Sequence, residues 1–90
     1  MKIKTSGGFE CEVNEEALGD WELVEKLIKV DKGDVSDLPD VMRDLLGDDG
    51  YDAAKNHVRT ESGRVPTVKI TELFFEVLAS VRDTSDDKKK

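Results

Sequence analysis

Polar and apolar residues alternate at the start of the chain. Ile3 and Thr5 alternate with Lys2 and Lys4, and Phe9, Cys11 and Val13 alternate with Glu10 and Glu12. A period of two marks β-strands with one apolar face. Between the two runs stands Ser6-Gly7-Gly8, and glycine supplies the positive φ that a tight hairpin turn requires. The first 13 residues therefore read as a β-hairpin. An isolated hairpin is marginal in water, so its apolar face must lie on helices or on another chain.

After Val13 the period changes. Asn14 is placed to cap a helix, with Glu15 and Glu16 near the positive end of its dipole. Leu18, Trp21, Val24, Leu27 and Ile28 follow at spacings of three and four as one apolar stripe. On this pattern Trp21 belongs to the core, whereas Leu23 sits off-centre. Gly19-Asp20 is a place to break or kink the segment, with Asp20 as a second cap, and Lys29, Lys32 and Gly33 mark its end. Ser36 or Asp37 starts a second helix, with Pro39 tolerated in its first turn. Val41, Met42, Leu45 and Leu46 form its apolar face, and Gly47 suits a left-handed C-terminal position.

A short helix is expected from about Asp49 to His57, using Tyr51, Ala54 and Val58, followed by a polar turn over residues 60–64 and an extended Val65-Pro66. Thr67 is placed to cap the last helix. Its residues Ile70, Leu73, Phe74, Val77, Leu78 and Val81 follow the 3.6-residue period closely. Asp83 to Lys90 contains no apolar residue and is expected to be a disordered charged tail. The predicted fold is α+β and mostly helical: an N-terminal β-hairpin followed by three or four packed helices, forming a single globular domain over residues 1–82.

Length and charge narrow the function. A 90-residue chain buries roughly 60–65% of its unfolded surface, leaving little room for a deep cleft beside the core. Fourteen Lys and Arg stand against 21 Asp and Glu, a net charge of −7. Phosphate backbones repel such a surface, so nucleic acid is not an expected partner. A partner with basic or amphipathic segments suits it. No apolar stretch approaches the ~20 residues needed to span a bilayer, and the N-terminus lacks the apolar core of a signal peptide, so the expected location is cytoplasmic, away from the membrane.

Each candidate for chemistry has a plainer explanation. Asp31, Asp34, Asp37, Asp40, Asp44, Asp48 and Asp52 recur every three or four residues, open to reading as an acidic docking face, a divalent-cation site or simply a solvated helix face with its caps. A calcium loop demands a bidentate Glu at its twelfth position; counted from Asp48 that residue is Arg59, and from Asp31 it is Met42. His57, the only histidine, is expected near a helix C-terminus, where an imidazolium favours the dipole. Cys11, the only cysteine, belongs to the apolar side of its strand and has no CxxC partner. Gly7-Gly8 leads into a strand instead of a helix, so it is not a phosphate loop. No catalytic, metal-binding or cofactor-binding set emerges, and the expectation is a protein-binding module without enzymatic activity.

Two apolar residues fall outside the simple core pattern and are the candidates for partner binding. Phe75 lies about 100° from Phe74 around the last helix. It faces either a second layer of its own fold, such as the hairpin, or a partner for which an aromatic ring is an anchor. Leu23 is the other candidate, although Leu27 and Val30 broaden its face.

The order of motifs adds a resemblance. The hairpin segment SGGFECEV precedes DWELVEKLIKVDKGDVSDLPDVMRDLLG, and HVRTESGRVPTVKITELFFEVL follows. The acid-Trp-Glu helix start at Asp20-Trp21-Glu22, the Gly33-Asp34 pair, the Leu45-Leu46-Gly47 helix end and the Gly63-Arg64-Val65-Pro66 turn resemble, in this order, the small tail assembly chaperones of long-tailed (siphovirus-type) phages and prophages. The resemblance covers roughly residues 3–82. It implies a protein of the host bacterial cytoplasm, without catalytic residues. Such a protein reversibly binds the phage tape-measure protein and keeps it soluble during tail assembly; apart from the resemblance, self-association of the chain stays open. A structural tail or connector subunit and an acidic regulatory protein-binding domain are the alternatives.

Overall fold

The computed structural model describes residues 1–89, with side chains through Arg82. The order of elements is β1 (Lys2–Lys4), β2 (Glu10–Glu12), α1 (Glu15–Leu18), α2 (Trp21–Asp31), α3 (Leu38–Val58) and α4 (Thr67–Lys89). This is the expected mostly helical α+β fold with an N-terminal hairpin. α4 extends to Lys89, over most of the segment expected to be a disordered charged tail (residues 83–90); the side chains of that segment lie outside the described residues.

β1 and β2 pair antiparallel with Ile3 opposite Cys11, which puts the apolar residues of both strands on one face. At the turn, Gly8 alone takes the positive φ, +90°. Thr5 is the one buried polar side chain among the described residues, and its Oγ1 accepts the Phe9 N–H at 3.2 Å. The hairpin is not free-standing: β1 packs on α4 and β2 on α3. The chain then turns into the helices through Asn14, whose N–H donates to the Leu45 carbonyl at 2.7 Å.

Two caps divide the next segment. The Asn14 side chain accepts from Glu16 N–H at 3.1 Å, and the Asp20 side chain accepts from Glu22 N–H at 3.2 Å. Each satisfies an N–H that the first helical turn leaves without a partner. Gly19 closes α1 after four residues, and α2 starts afresh at Trp21. The break changes the phase of α2. Leu18 and Trp21 no longer share a face, because they belong to different helices. Leu23 and Val30 turn inward instead. Trp21, expected in the core, is 67% exposed, and Leu23, expected at the margin, is 2% exposed.

The second and third expected helices are joined end to end as α3, with one non-helical residue between them. Gly47 has φ 76° and ψ 168°, a region open in practice to glycine alone. The interruption falls two residues after Leu45, whose carbonyl accepts the Asn14 N–H. Val41, Met42, Leu45 and Leu46 before the break, and Ala54 after it, are buried as their spacing requires. At the helix start Asp37 makes no side-chain cap; its carboxylate receives Lys29 Nζ at 3.2 Å instead. Asp34 organises the loop before it, accepting both the N–H and the hydroxyl of Ser36 at 3.0 and 2.6 Å.

Thr67, expected as the cap of the last helix, is its first helical residue. The preceding Pro66 carbonyl accepts the Ile70 N–H at 3.0 Å. Leu73, Phe74, Val77 and Val81 of α4 enter the core, while Ile70 and Leu78 are half-buried at its edge. Both α2 and α4 pack on α3, so α3 is the centre of the molecule.

Candidate interaction surface

Both α2 and α4 pack on α3, and their backbones do not come into close contact with each other among the described residues. An apolar groove of about 480 Å³ runs between their outer faces. Val24, Leu27, Ile28 and Asp31 line it from α2, and Phe75, Leu78, Ala79 and Arg82 from α4. Ile28 is 46% exposed and Phe75 42% exposed. Phe75 thus stands in the groove opposite α2. Leu23, the other residue expected to meet a partner, lies in the core and presents no surface.

The groove follows from the width of the apolar face of α2. That face covers more of the helix than α3 can bury: Leu23 and Val30 are taken inward, while Val24 and Ile28 remain on the outer side. Trp21 stands two turns before Ile28, on nearly the same face. On α4, Val68 stands two turns before Phe75 in the same way and is 66% exposed. Four of the five large hydrophobic residues exposed among the described residues therefore belong to α2 and α4. Scattered exposed apolar residues are ordinary, whereas a group on neighbouring elements marks an interaction surface.

Sequence patterning misses Trp21 and Ile28 as surface residues, because one stripe cannot show which of its edges the fold will bury. The Asp20 cap was the available signal. It sets α2 as an independent helix, and Leu23, Leu27 and Val30 then form an alternative stripe at spacings of four and three.

The acidic segment behaves as a solvated surface tied down locally. Asp37 pairs with Lys29, Asp40 and Asp48 with Arg43 at 3.7 and 3.9 Å, and Asp52 with Lys55 at 3.4 Å. The hydroxyl and N–H of Ser36 hold the Asp34 carboxyl below the usual carboxylate range. Among the described residues no three His, Cys, Asp or Glu side chains come together as a metal site. Arg43 and Lys55 each lie over the Tyr51 ring, at 5.1 and 4.5 Å from its centroid. That contact consumes two of the cations that could otherwise serve a ligand.

His57 lies in the last turn of α3, with its ring 5.2 Å from that of Phe9, where it joins the hairpin to the helix. Cys11 is half-buried on the apolar side of β2, and burial pushes its thiol pKa up. A raised thiol holds its proton and is a poor nucleophile at neutral pH. No helix among the described residues is long and apolar enough to cross a membrane. No protein family, curated protein or solved structure matches this chain.

Proposed function

We propose that this chain is a phage or prophage tail assembly chaperone, which holds the tape-measure protein in soluble form during tail assembly and then leaves it. The observation that carries the reading is the apolar groove between α2 and α4, set in a chain of net charge −7. A chaperone for a long helical client needs apolar surface to cover the client's own. It must also release it, so that surface must be modest. A few half-exposed side chains on two helices meet both requirements, while the acidic remainder keeps the complex soluble.

The ordered motifs support the same reading. Asp20-Trp21-Glu22 supplies a cap followed by an exposed tryptophan, and aromatic side chains are frequent anchors in protein interfaces. The role requires no catalysis, cofactor or metal. Its setting is the host bacterial cytoplasm.

The test is co-expression with the tape-measure candidate encoded downstream. The expected result is that the tape-measure protein becomes soluble and co-purifies with this chain. A tape-measure protein that stays insoluble counts against the reading, and so does abundant recovery of this chain from mature particles, the behaviour of a structural subunit.

A further inference from the structure

We infer that the turn between α3 and α4 docks a short acidic segment of a partner protein, whose carboxylates are received by Arg59 and Arg64. The turn contributes no residue to the groove between α2 and α4, and the inference stands without the tape-measure reading.

Charge is divided along the chain. Residues 53–71 carry Lys55, Arg59, Arg64 and Lys69 against Glu61 alone, a net of +3. Residues 5–52 carry four Lys and Arg against 15 Asp and Glu, a net of −11. The turn is therefore a cationic stretch on an acidic molecule.

Its backbone is firmly held. Gly63 takes φ +89°; its N–H donates to the Thr60 carbonyl at 2.9 Å, and the Thr60 N–H donates to the Arg64 carbonyl at 2.8 Å. The Arg64 N–H reaches Thr60 Oγ1 at 3.3 Å. Arg59 is fixed against this frame, with Nε donating to Asn56 Oδ1 at 3.1 Å and Nη1 to the Gly63 carbonyl at 2.7 Å. Both acceptors are neutral. The guanidinium is thus held in place with its charge uncompensated and with N–H donors to spare. Arg64 follows directly on the residue whose carbonyl holds Arg59. Both arginines are exposed, and neither forms an ion pair among the described residues. Arg43, by contrast, is shared by Asp40 and Asp48.

A guanidinium fork matches a carboxylate through two parallel hydrogen bonds. Arg59 is ordered before any ligand arrives, so binding costs it little side-chain freedom. The small size of the patch selects the occupant. A nucleic-acid strand draws its affinity from many cations and runs on past the turn, where the −11 of residues 5–52 repels it. A short acidic segment ends before meeting that surface. A second copy offers its own residues 31–52, but five of the eight carboxylates there are already engaged: Asp37, Asp40, Asp48 and Asp52 by cations and Asp34 by Ser36.

The experiment titrates the full chain with two short peptides, a Glu-Gly repeat and a Gln-Gly repeat. NMR follows the Arg59 Nε–H and the backbone amides of Gly63 and Arg64. The Glu peptide is expected to shift these signals and to bind at least about five-fold tighter than the Gln peptide at low ionic strength. Salt at about 0.5 M should erase the difference. Arg64→Gln should weaken binding of the Glu peptide by about two- to five-fold, the range of an exposed ion pair, and adding Arg59→Gln should weaken it further. The Arg64 side chain holds nothing in the fold, so its variant tests the charge even where Arg59→Gln loosens the turn. Lys26→Gln, the same change of charge on α2, should leave binding unchanged.

Equal binding of the two peptides, or no binding of the Glu peptide, overturns the inference. So does an equal loss from Lys26→Gln and Arg64→Gln, since net charge and not the turn is then the cause. Tighter binding of an oligothymidine of the same charge assigns the turn to nucleic acid, and a concentration-dependent dimer dissolved by Arg64→Gln assigns it to a second copy. Either result also overturns it.

Discussion

Phe74 and Phe75 are neighbours in sequence with ring centroids 6.0 Å apart, yet Phe74 is fully buried and Phe75 is 42% exposed. Helical geometry turns them about 100° apart, which sends one ring into the core and the other into the groove. Truncation should therefore separate stability from binding. Phe74→Ala leaves a large cavity and should cost about 3–5 kcal/mol, enough to unfold a marginal domain. Phe75→Ala should cost about 1 kcal/mol or less, keep a single cooperative urea transition, and weaken partner capture. A larger loss of stability from Phe75→Ala than from Phe74→Ala contradicts this division.

Two glycines in α3 are required for different reasons. Gly47 sits at φ 76° with no obstacle to a Cβ within 4 Å, so Gly47→Ala is opposed by backbone strain alone, roughly 1–3 kcal/mol. Gly50 has no positive φ, but an added Cβ stands 2.8 Å from the Leu46 Cβ. Neither atom can rotate away, since each is fixed to its backbone. Gly50→Ala should destabilise by about 1–3 kcal/mol through overpacking, despite a gain in helix propensity of up to about 1 kcal/mol. Urea midpoints of the two variants check both values.

Trp21 should report its own exposure. At 67% exposed on the first residue of α2, its emission should resemble that of free tryptophan and be quenched readily by iodide. Unfolding should shift the maximum only slightly. A strongly blue-shifted native emission would place Trp21 in the core, as the apolar stripe alone suggests, and would remove it as a reporter beside the groove.

What was legible in the sequence depended on whether the decisive interaction was local. The Asn14 and Asp20 caps, the Gly47 break and the N-terminal hairpin each rest on a few neighbouring residues, and they appear where the pattern puts them. The inward face of α2 does not. Trp21, Leu23, Val24, Leu27, Ile28 and Val30 surround much of that helix, and only the position of α3 decides that Leu23 and Val30 are buried. Thr67 was similarly ambiguous: a threonine at the start of an apolar run serves as cap or first residue, and the Pro66 carbonyl took the capping position. The groove was half-legible. Phe75 stood out as an aromatic beyond its own stripe, but the α2 wall could not be read before the phase of that helix was known.

Thr5 gives a prediction about the hairpin. Its Oγ1 accepts the buried Phe9 N–H, and Thr5 itself is 3% exposed. Thr5→Val keeps the shape and removes the acceptor, leaving a buried donor without a partner, at about 1–3 kcal/mol. Thr5→Ser retains the oxygen and should recover much of that loss. Equal stability of Thr5→Val and the parent protein would show that water reaches the Phe9 amide.

Cys11 links burial to pH. Desolvation raises its folded-state pKa above the ordinary value of about 8.5 that holds in the unfolded chain. The sign follows from proton binding. Well below that ordinary value both states hold the proton, and the thiol adds no pH dependence. As pH rises past it, the unfolded chain loses its proton first, and stability falls until the pH exceeds the folded pKa. Urea midpoints measured from pH 7 to 10 should therefore decline more steeply for the parent protein than for Cys11→Ala, whose own constant loss of packing shifts the whole curve without changing its slope. The native thiol should also react with iodoacetamide more slowly than the unfolded one at pH 8, because less of it is thiolate. Parallel pH curves together with equal alkylation rates would mean that Cys11 is open to water and that β2 does not hold its apolar face against the helices.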